Sequence, residues 1–472
     1  MNRQPWQQGL SLLVMTALLS GCAGFGPERT PATLLTPSQL SLRAEPGKAP
    51  AQGWWQQLQD PTLNQLISEA LQKSPSLRLA QDRLREAQSA VGISESQLGP
   101  QFDLSASDER QRYSTNGIMP SPIGGNFYSS YFLTLNASWE IDFWGKVRAE
   151  TRAAVGEMRA TAWEVQQSQL VLTQAVIAQY TALQRQLQQQ QISQARIQIA
   201  QSRLSLIQAR VHAGLLSADM ADQAETGLAG LRAQDAAIRG DIQRSHHALA
   251  ALCGQSPSAL DGLVPARLSD TPKIDEAGLS ADLLGRRPDI ASQRERVESM
   301  EQSVKAAHAE FYPNVSLSAF AGVNSLEYST LFDHASRIVG FTPAITLPIF
   351  HSGQLQANLH REQSRYDQAV DSYNQALLDG LKDAADALSS QQQANAQLIQ
   401  ARHGFDASQK AANAMTLRLR AGMVSKLDVL DSQDNALAQK STQLDAQAST
   451  RLAWAKLNTA LGGGLTASPA TR

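Results

Sequence analysis

Residues 131–143 read Tyr-Phe-Leu-Thr-Leu-Asn-Ala-Ser-Trp-Glu-Ile-Asp-Phe. Tyr131, Leu133, Leu135, Ala137, Trp139, Ile141 and Phe143 alternate with Phe132, Thr134, Asn136, Ser138, Glu140 and Asp142, and only Phe132 breaks the period of two. Successive side chains of a strand point to opposite faces, so this stretch is a strand with one apolar and one polar face. A barrel strand that crosses a membrane needs about 9–11 residues, apolar toward lipid and polar toward the lumen. Three other stretches, about 101–111, 314–323 and 341–350, have that length and alternate less cleanly. Val315, Leu317, Ala319, Ala321 and Val323 share one face; Ile345, Leu347 and Ile349 share another. A soluble β-sandwich would also alternate. Four strands are too few for one, and long helical patterns flank each pair.

The strands belong to a unit that occurs twice. Gln81-Asp82-Arg83-Leu84, six residues after Pro75, reappears as Arg294-Glu295-Arg296-Val297, six after Pro288; Phe102 to Ala106 reappears as Val315 to Ala319, again 213 residues on. The spacing then becomes 208: Gly145 matches Gly353, Ala213-Gly214 matches Ala421-Gly422, and Gly254 matches Gly462. The change of five residues falls after the first strand of each half, where a surface loop absorbs it. A duplication of this kind predicts a curved wall segment that closes with copies of itself.

Between the strands the period is helical. Residues 60–73 place apolar side chains at 63, 66, 67, 70 and 71, with Asp60 as N-cap and Pro61 at the first helical position. A second helix runs from Ser76 to about Gln97 and stops before Gly99-Pro100. No proline occurs between Pro122 and Pro257, and the 68 steps from Gly145 to Ala213 span about 100 Å as a helix. Leu172, Val176, Tyr180, Leu183 and Leu187 form a coiled-coil-like seam in it. Gly353 to Ala421 repeats the pattern. Each long helix ends at a glycine, Gly214 or Gly422, which supplies the left-handed residue of a tight turn. Ser217 and Ser425 then cap a returning helix of about 38 residues. Each half therefore reads helix, strand, strand, very long helix, turn, long helix.

The N-terminus reads as a lipoprotein signal. Arg3 and the apolar run Leu10 to Leu19 lead to Leu19-Ser20-Gly21-Cys22, a lipobox-like sequence that makes Cys22 the expected acylated residue. Ala23 follows the cysteine, as in lipoproteins sorted to the outer membrane. The organisation expected is a signal peptide over 1–21, a lipidated tether over 22–53, a first repeat over 54–274, a second over 275–463 and a tail over 464–472. Cys253 has no partner once Cys22 is lipidated, and its apolar surroundings make it a small buried residue.

Composition excludes several classes. A net charge of −2 gives no basic surface for nucleic acid. Mean hydropathy is −0.29, and after residue 22 no run approaches the roughly 18 apolar residues of a spanning helix, so strands are the membrane-crossing elements. There is no Gly-x-Ser-x-Gly, His-Glu-x-x-His, phosphate-cradling glycine loop or cysteine pair, so no enzyme, metal site or cofactor is expected beyond the covalent lipid on Cys22. His246 and His247 are adjacent and on a helix point about 100° apart, a poor chelate.

Three motifs carry a family resemblance: Trp54-Trp55 with Asp60-Pro61-Thr62-Leu63; Leu284-Gly285-Arg286-Arg287-Pro288-Asp289-Ile290 with Phe311-Tyr312-Pro313; and Leu427-Asp428-Val429-Leu430-Asp431. With them, the chain from the lipobox to Gly463 resembles the TolC-like outer-membrane efflux channels, in particular their lipoprotein branch of NodT and OprM type. The resemblance implies a mainly α fold joined to a membrane β-barrel. In it a homotrimer forms a 12-stranded barrel continuous with a periplasmic α-helical coiled-coil barrel. It also implies a periplasmic adaptor and an inner-membrane pump as partners, and passive export of drugs or other small toxic compounds. A channel for type I protein secretion and a non-conducting lipoprotein scaffold are the other readings. Closure argues independently for an oligomer, because four strands leave two open edges that lipid does not tolerate.

By resemblance, Asp428 and Asp431 match aspartates that ring a periplasmic constriction and favour cations; locally, Ser425 and Asp428 also form a capping-box-like pair. In the first hairpin, Met220 stands where many relatives carry aspartate, leaving Asp219 and Asp222 as the candidate tip acids. Leu419 and Val424 stand where other relatives place a tyrosine and an arginine that latch the tip, so no latch residue is carried over. Gly214, Leu215, Leu216, Gly422, Met423 and Val424 form the turns and the expected adaptor contact. Leu215, Leu216, Leu419 and Val424 make an apolar seal only if they face the axis, and packing or adaptor contact is the favoured reading.

Overall fold

The computed structural model describes residues 32–35, 50–272 and 286–464. Cys22, most of the expected tether, Leu284-Gly285 and the C-terminal tail from 465 lie outside the described residues.

The elements run α1 (Pro61–Lys73), α2 (Pro75–Ser96), β1 (Gln101–Arg112), β2 (Phe127–Ile141), α3 (Lys146–His212) and α4 (Ala218–Leu252), then α5 (Pro288–Ala309), β3 (Asn314–Ser325), β4 (Arg337–Thr346), α6 (Gln354–Arg420) and α7 (Lys426–Ala460). The duplication is carried into structure in four element pairs of equal length, while β2 and β4 differ at 15 and 10 residues. α2 and α5 are both 22 residues long, β1 and β3 both 12, α3 and α6 both 67, α4 and α7 both 35. At 67 residues, α3 and α6 are each about 100 Å long.

The four strands form one antiparallel sheet in the order β1-β2-β3-β4. Two strand limits differ from the sequence reading. β2 starts at Phe127 and ends at Ile141, short of Phe143. Asp142 leaves the ladder because its carboxylate accepts the free backbone N–H groups of Val147 (3.3 Å) and Arg148 (3.0 Å) at the start of α3. β4 spans 337–346 rather than 341–350. Thr346 pairs with Asn314, the first residue of β3, so Leu347 and Ile349 have no strand beside them.

The described chain divides into two compact units, and neither follows one repeat. The first comprises 86–159 and 294–373 together with 32–34; the second comprises 35, 50–85, 160–272, 286–293 and 374–464. Within the first unit, α3 and α5 approach closely at Gly156. A Cβ there would sit 2.8 Å from that of Ser299, whose hydroxyl donates to the Ala153 carbonyl at 2.7 Å.

The second unit holds the main core. Trp54 meets Trp454 edge-on at 5.1 Å. The seam Leu172, Val176, Tyr180 and Leu183 is buried among Leu63, Leu66, Ile67, Leu249 and Cys253, with Leu187 packed against it. Cys253 is fully buried, and burial with the nearby Glu69 carboxylate pushes its thiol up to about 11. It behaves as the small apolar residue expected. α6 and α7 meet through Ala384, Ala387, Leu457 and Ala460. His246 is buried against the Leu263 carbonyl while His247 faces out, so the pair does not converge.

Two polar staples cross this core, and both come from the motif residues. Asp60 caps α1 by accepting from Leu63 N–H at 3.1 Å, and its carboxylate also accepts from the Tyr180 hydroxyl (2.9 and 3.1 Å) and the Gln184 amide (3.2 Å). Arg451, 1% exposed, donates to the Gln184 side-chain oxygen (2.8 Å) and to Ser269 (2.8 and 2.9 Å). Arg287 donates to the Asp289 carboxylate (2.7 and 3.1 Å) and to the Gly380 and Ala460 carbonyls (3.3 and 3.2 Å). The repeated glycines sit against the same neighbours: a Cβ on Gly254 would lie 2.4 Å from the Lys73 carbonyl, and one on Gly462 3.2 Å from the Arg286 carbonyl.

Tyr180→Phe should cost about 1.5–3 kcal/mol, the range for a hydrogen bond to a charged group, measured as a lower denaturant midpoint of the detergent-solubilised protein. Gly254 and Gly214 have similar positive φ (69° and 76°), but a Cβ on Gly214 meets nothing within 4 Å. Gly254→Ala should therefore cost clearly more than Gly214→Ala, for which only the left-handed penalty of about 1–2 kcal/mol applies.

Candidate functional site

The register of the sheet sorts its side chains by chemistry. On one face, Leu104, Leu135, Ala321 and Val339 lie in one row across the four strands, and Phe102, Ala137, Ala319 and Phe341 in the next. On the other face the rows are Asp103, Asn136, Phe320, Gly340 and Ser105, Thr134, Gly322, Ile338. The Phe320 ring occupies the place that a Cβ on Gly340 would take. Phe102, Leu104, Val339, Phe341 and Ile345 are 64–84% exposed in the protomer. A continuous apolar sheet face of this extent demands an apolar neighbour.

Aromatic residues collect at both ends of this sheet. At one end Trp144 stacks on Tyr312 (4.8 Å, 19°) and donates to the Pro313 carbonyl at 2.8 Å, while Trp139 donates to the Leu98 carbonyl at 3.0 Å. At the other end Tyr113 meets Tyr128, and Tyr131 meets Tyr328, each at 6.0 Å. Two aromatic bands bounding an apolar stripe are what a bilayer selects at its two interfaces. The sequence reading used Tyr131, Trp139 and Phe143 only as apolar positions of a strand and did not read them as bands, although Phe127-Tyr128 with Tyr131, and Trp139 with Phe143-Trp144, were visible as clusters at strand ends.

The far ends of α3 and α6 carry the two tight turns. Gly214 (φ 76°) donates to the Val211 carbonyl at 2.9 Å and Leu215 to that of Arg210 at 2.8 Å; Gly422 (φ 72°) donates to Leu419 at 3.0 Å and Met423 to Arg418 at 2.9 Å. These are the same helix stop, 208 residues apart. Leu215 and Met423 are 72% and 68% exposed at the apex, while Leu216 and Val424 are half-buried.

The caps that follow are not equivalent. Ser425 Oγ accepts from Asp428 N–H (3.4 Å), and the Asp428 carboxylate accepts from the Ser425 N–H and hydroxyl (both 2.7 Å), a complete capping box. Ser217 occupies the N-cap position of α4 but its side chain makes no cap bond, contrary to the sequence reading. The third helical residue explains the difference: Met220 cannot return a hydrogen bond as Asp428 does. The Ser425 bonds hold the Asp428 carboxyl below its ordinary value. Asp219 and Asp222 are exposed on the first turns of α4.

Asp431 is not free. It pairs with Arg203 of α3 at 3.2 Å, one rung of a ladder in which Asp434 binds Arg196 through two bonds (2.8 and 3.0 Å) and Asp445 binds Arg185 at 3.0 Å. The sequence reading missed this ladder. Its signal was Arg196, Arg203 and Arg210 spaced by seven opposite Asp428, Asp431 and Asp434 spaced by three. Among the described residues no group of histidine, cysteine or acidic side chains is placed to hold a metal ion, and no helix is long and apolar enough to cross a membrane.

A four-stranded sheet with one lipid-type face, one polar face and aromatic bands, joined to paired 100 Å helices, defines the protomer of an outer-membrane channel. Comparison with known proteins gives the same class. The family model "Outer membrane efflux protein" matches residues 66–255 and 279–463, most of the chain. Multidrug resistance outer membrane protein MdtP of Escherichia coli O6:H1 is 30% identical over 480 residues, covering 97% of this chain and 96% of the relative. Multidrug resistance outer membrane protein MdtQ of Escherichia coli O157:H7 is 31% identical over 482 residues, covering 98% and 99%. The crystal structure of outer membrane protein VceC from Vibrio cholerae superposes with a TM-score of 0.77 at 32% identity, covering 88% of this chain and 99% of that one. The chain belongs to the outer membrane efflux protein family, whose members are channels and not enzymes.

Ser425→Ala should speed amide hydrogen exchange in the first turn of α7, whereas Ser217→Ala should leave α4 unchanged. A group held below its ordinary pKa stabilises the folded form above the unfolded value and loses that contribution as pH falls through the folded value. The α7 cap should therefore persist at pH 5–7 and weaken only below the ordinary carboxylate range of about 4.

Proposed function

We propose that three copies of this chain close into one 12-stranded barrel and that the trimer is the passive outer-membrane exit duct of a tripartite pump exporting drugs and other small toxic compounds. A periplasmic adaptor and an inner-membrane pump would supply the energy and engage the hairpin tips around Leu215 and Met423. The observation that carries the reading is the sheet itself: it is amphipathic across four strands and ends at β1 and β4 with unpaired edges. In hydrocarbon such edges must find partners, and a copy of the same sheet supplies them. The names of MdtP and MdtQ support drugs as the cargo.

Lipid anchoring at Cys22 fits the strap that precedes the fold. Ala32 N–H donates to Asp367 of α6 at 3.1 Å, 13 residues or about 20 Å from the start of that helix at Gln354. The ten residues from Cys22 to Ala32 reach about 33–36 Å when extended, enough to return to a membrane surface at the head of α6. Asp428 and Asp431 of three protomers would place six carboxylates near the periplasmic end, a field that favours cations. Asp219 and Asp222 would add to it from the first hairpin.

Cysteines placed at Ser105 of β1 and Thr342 of β4 should cross-link purified protein into a species three chains in size; cross-linking only to dimers, or none, would refute the closed trimer. In planar bilayers the channel should conduct and prefer cations, and Asp428→Ala with Asp431→Ala should lower that preference about twofold or more in ~0.1 M salt.

A further inference from the structure

The arginine column on α3 and the acid column on α7 run past each other at different rates. Seven residues of α3 advance about 10.5 Å, while three residues of α7 advance about 4.5 Å. The rungs therefore weaken toward the tips. Arg196 holds Asp434 with two bonds (2.8 and 3.0 Å), Arg203 reaches Asp431 with one contact at 3.2 Å, and Arg210 acts on Asp428 only through its field. Asp434 is thus fully compensated and Asp428 is bonded to its own cap. Asp431 sits between them: its side chain and that of Arg203 are each about half exposed, 51% and 50%. An ion pair at that exposure is easily exchanged for water.

We propose that Arg203 is a selectivity-determining residue of this channel: by pairing with Asp431 it reduces the negative charge that the second hairpin presents to passing ions. This rests on the reading of Asp428 and Asp431 as lining the periplasmic end. Cation preference is then set by an arginine outside the acid motif as much as by the acids. The pair joins α3 of the first hairpin to α7 of the second. The reciprocal pair between α6 and α4 does not exist, since the positions 208 residues on from Arg203 and 208 before Asp431 are Ala411 and Gln223.

The test is the reversal potential of the full-length channel in planar bilayers under a KCl gradient. Arg203→Ala and Arg203→Gln should raise the cation-to-anion permeability ratio about twofold or more in ~0.1 M salt and much less in ~1 M, where the Debye length falls from about 10 Å to about 3 Å. Arg203→Lys should stay near the parent value, and Arg203→Ala with Asp431→Ala should lose the rise. An unchanged ratio in both Arg203→Ala and Arg203→Gln, with a lowered one in Asp431→Ala, overturns the role of Arg203 and leaves the acid ring standing. A rise that survives in the double variant also overturns it, because Arg203 then acts through another group. An unchanged ratio in Asp428→Ala with Asp431→Ala overturns the ring itself and this inference with it.

Discussion

A backbone amide facing hydrocarbon has no water to bond, and β1 and β4 each carry a row of such groups along one edge. That constraint organises the rest of the molecule. It makes the protomer incomplete on its own, because nothing in the four-stranded order returns β4 to β1. It also explains why the sheet can afford an unbroken apolar face: lipid and a neighbouring sheet, rather than a folded-back layer of the same chain, are the natural cover. The connection from β2 to β3 runs through α3, α4 and α5, so the two hairpin-like pairs are held apart in sequence and joined only in the sheet.

The helices solve a different problem. A helix of 67 residues cannot be stabilised by propensity alone; it needs a packed stripe along its length. Alanine provides that stripe where α6 meets α7, and polar rungs provide it where α3 meets α7. Two of the three motifs that carry the family resemblance turn out to serve this packing. Asp60 and Arg287 build the staples that tie α1, α3, α6 and α7 together, and neither lies at a turn or on the sheet.

Much of the architecture was legible because duplication checks itself: two faint patterns at a fixed offset reinforce each other, and the paired helix lengths agree to the residue. Where the two copies diverge, the reading slipped. Ser217 and Ser425 look alike in sequence, yet only the second closes a capping box, because the partner three residues later is methionine in one and aspartate in the other. β4 slipped for another reason. Its alternation continues through Ile349, but a strand ends where its neighbour does, and β3 begins at Asn314.

The least legible feature was the partner of Asp431. From sequence, Asp428 already pairs with Ser425 as a helix cap, and the structure shows that cap. Asp431 has no partner in the local sequence, and in the structure it is bonded to an arginine 228 residues away in the chain. No local pattern reveals such a pairing, because it depends on the register of two antiparallel helices. The heptad of arginines was nevertheless present, and basic residues repeating every seven along a long helix should be read against the acids of every helix able to pack beside it. If Asp428 and Asp431 line a constriction as proposed, a charge count made from the acids alone overstates the field, and the arginines paired with them decide how much of it reaches a passing ion.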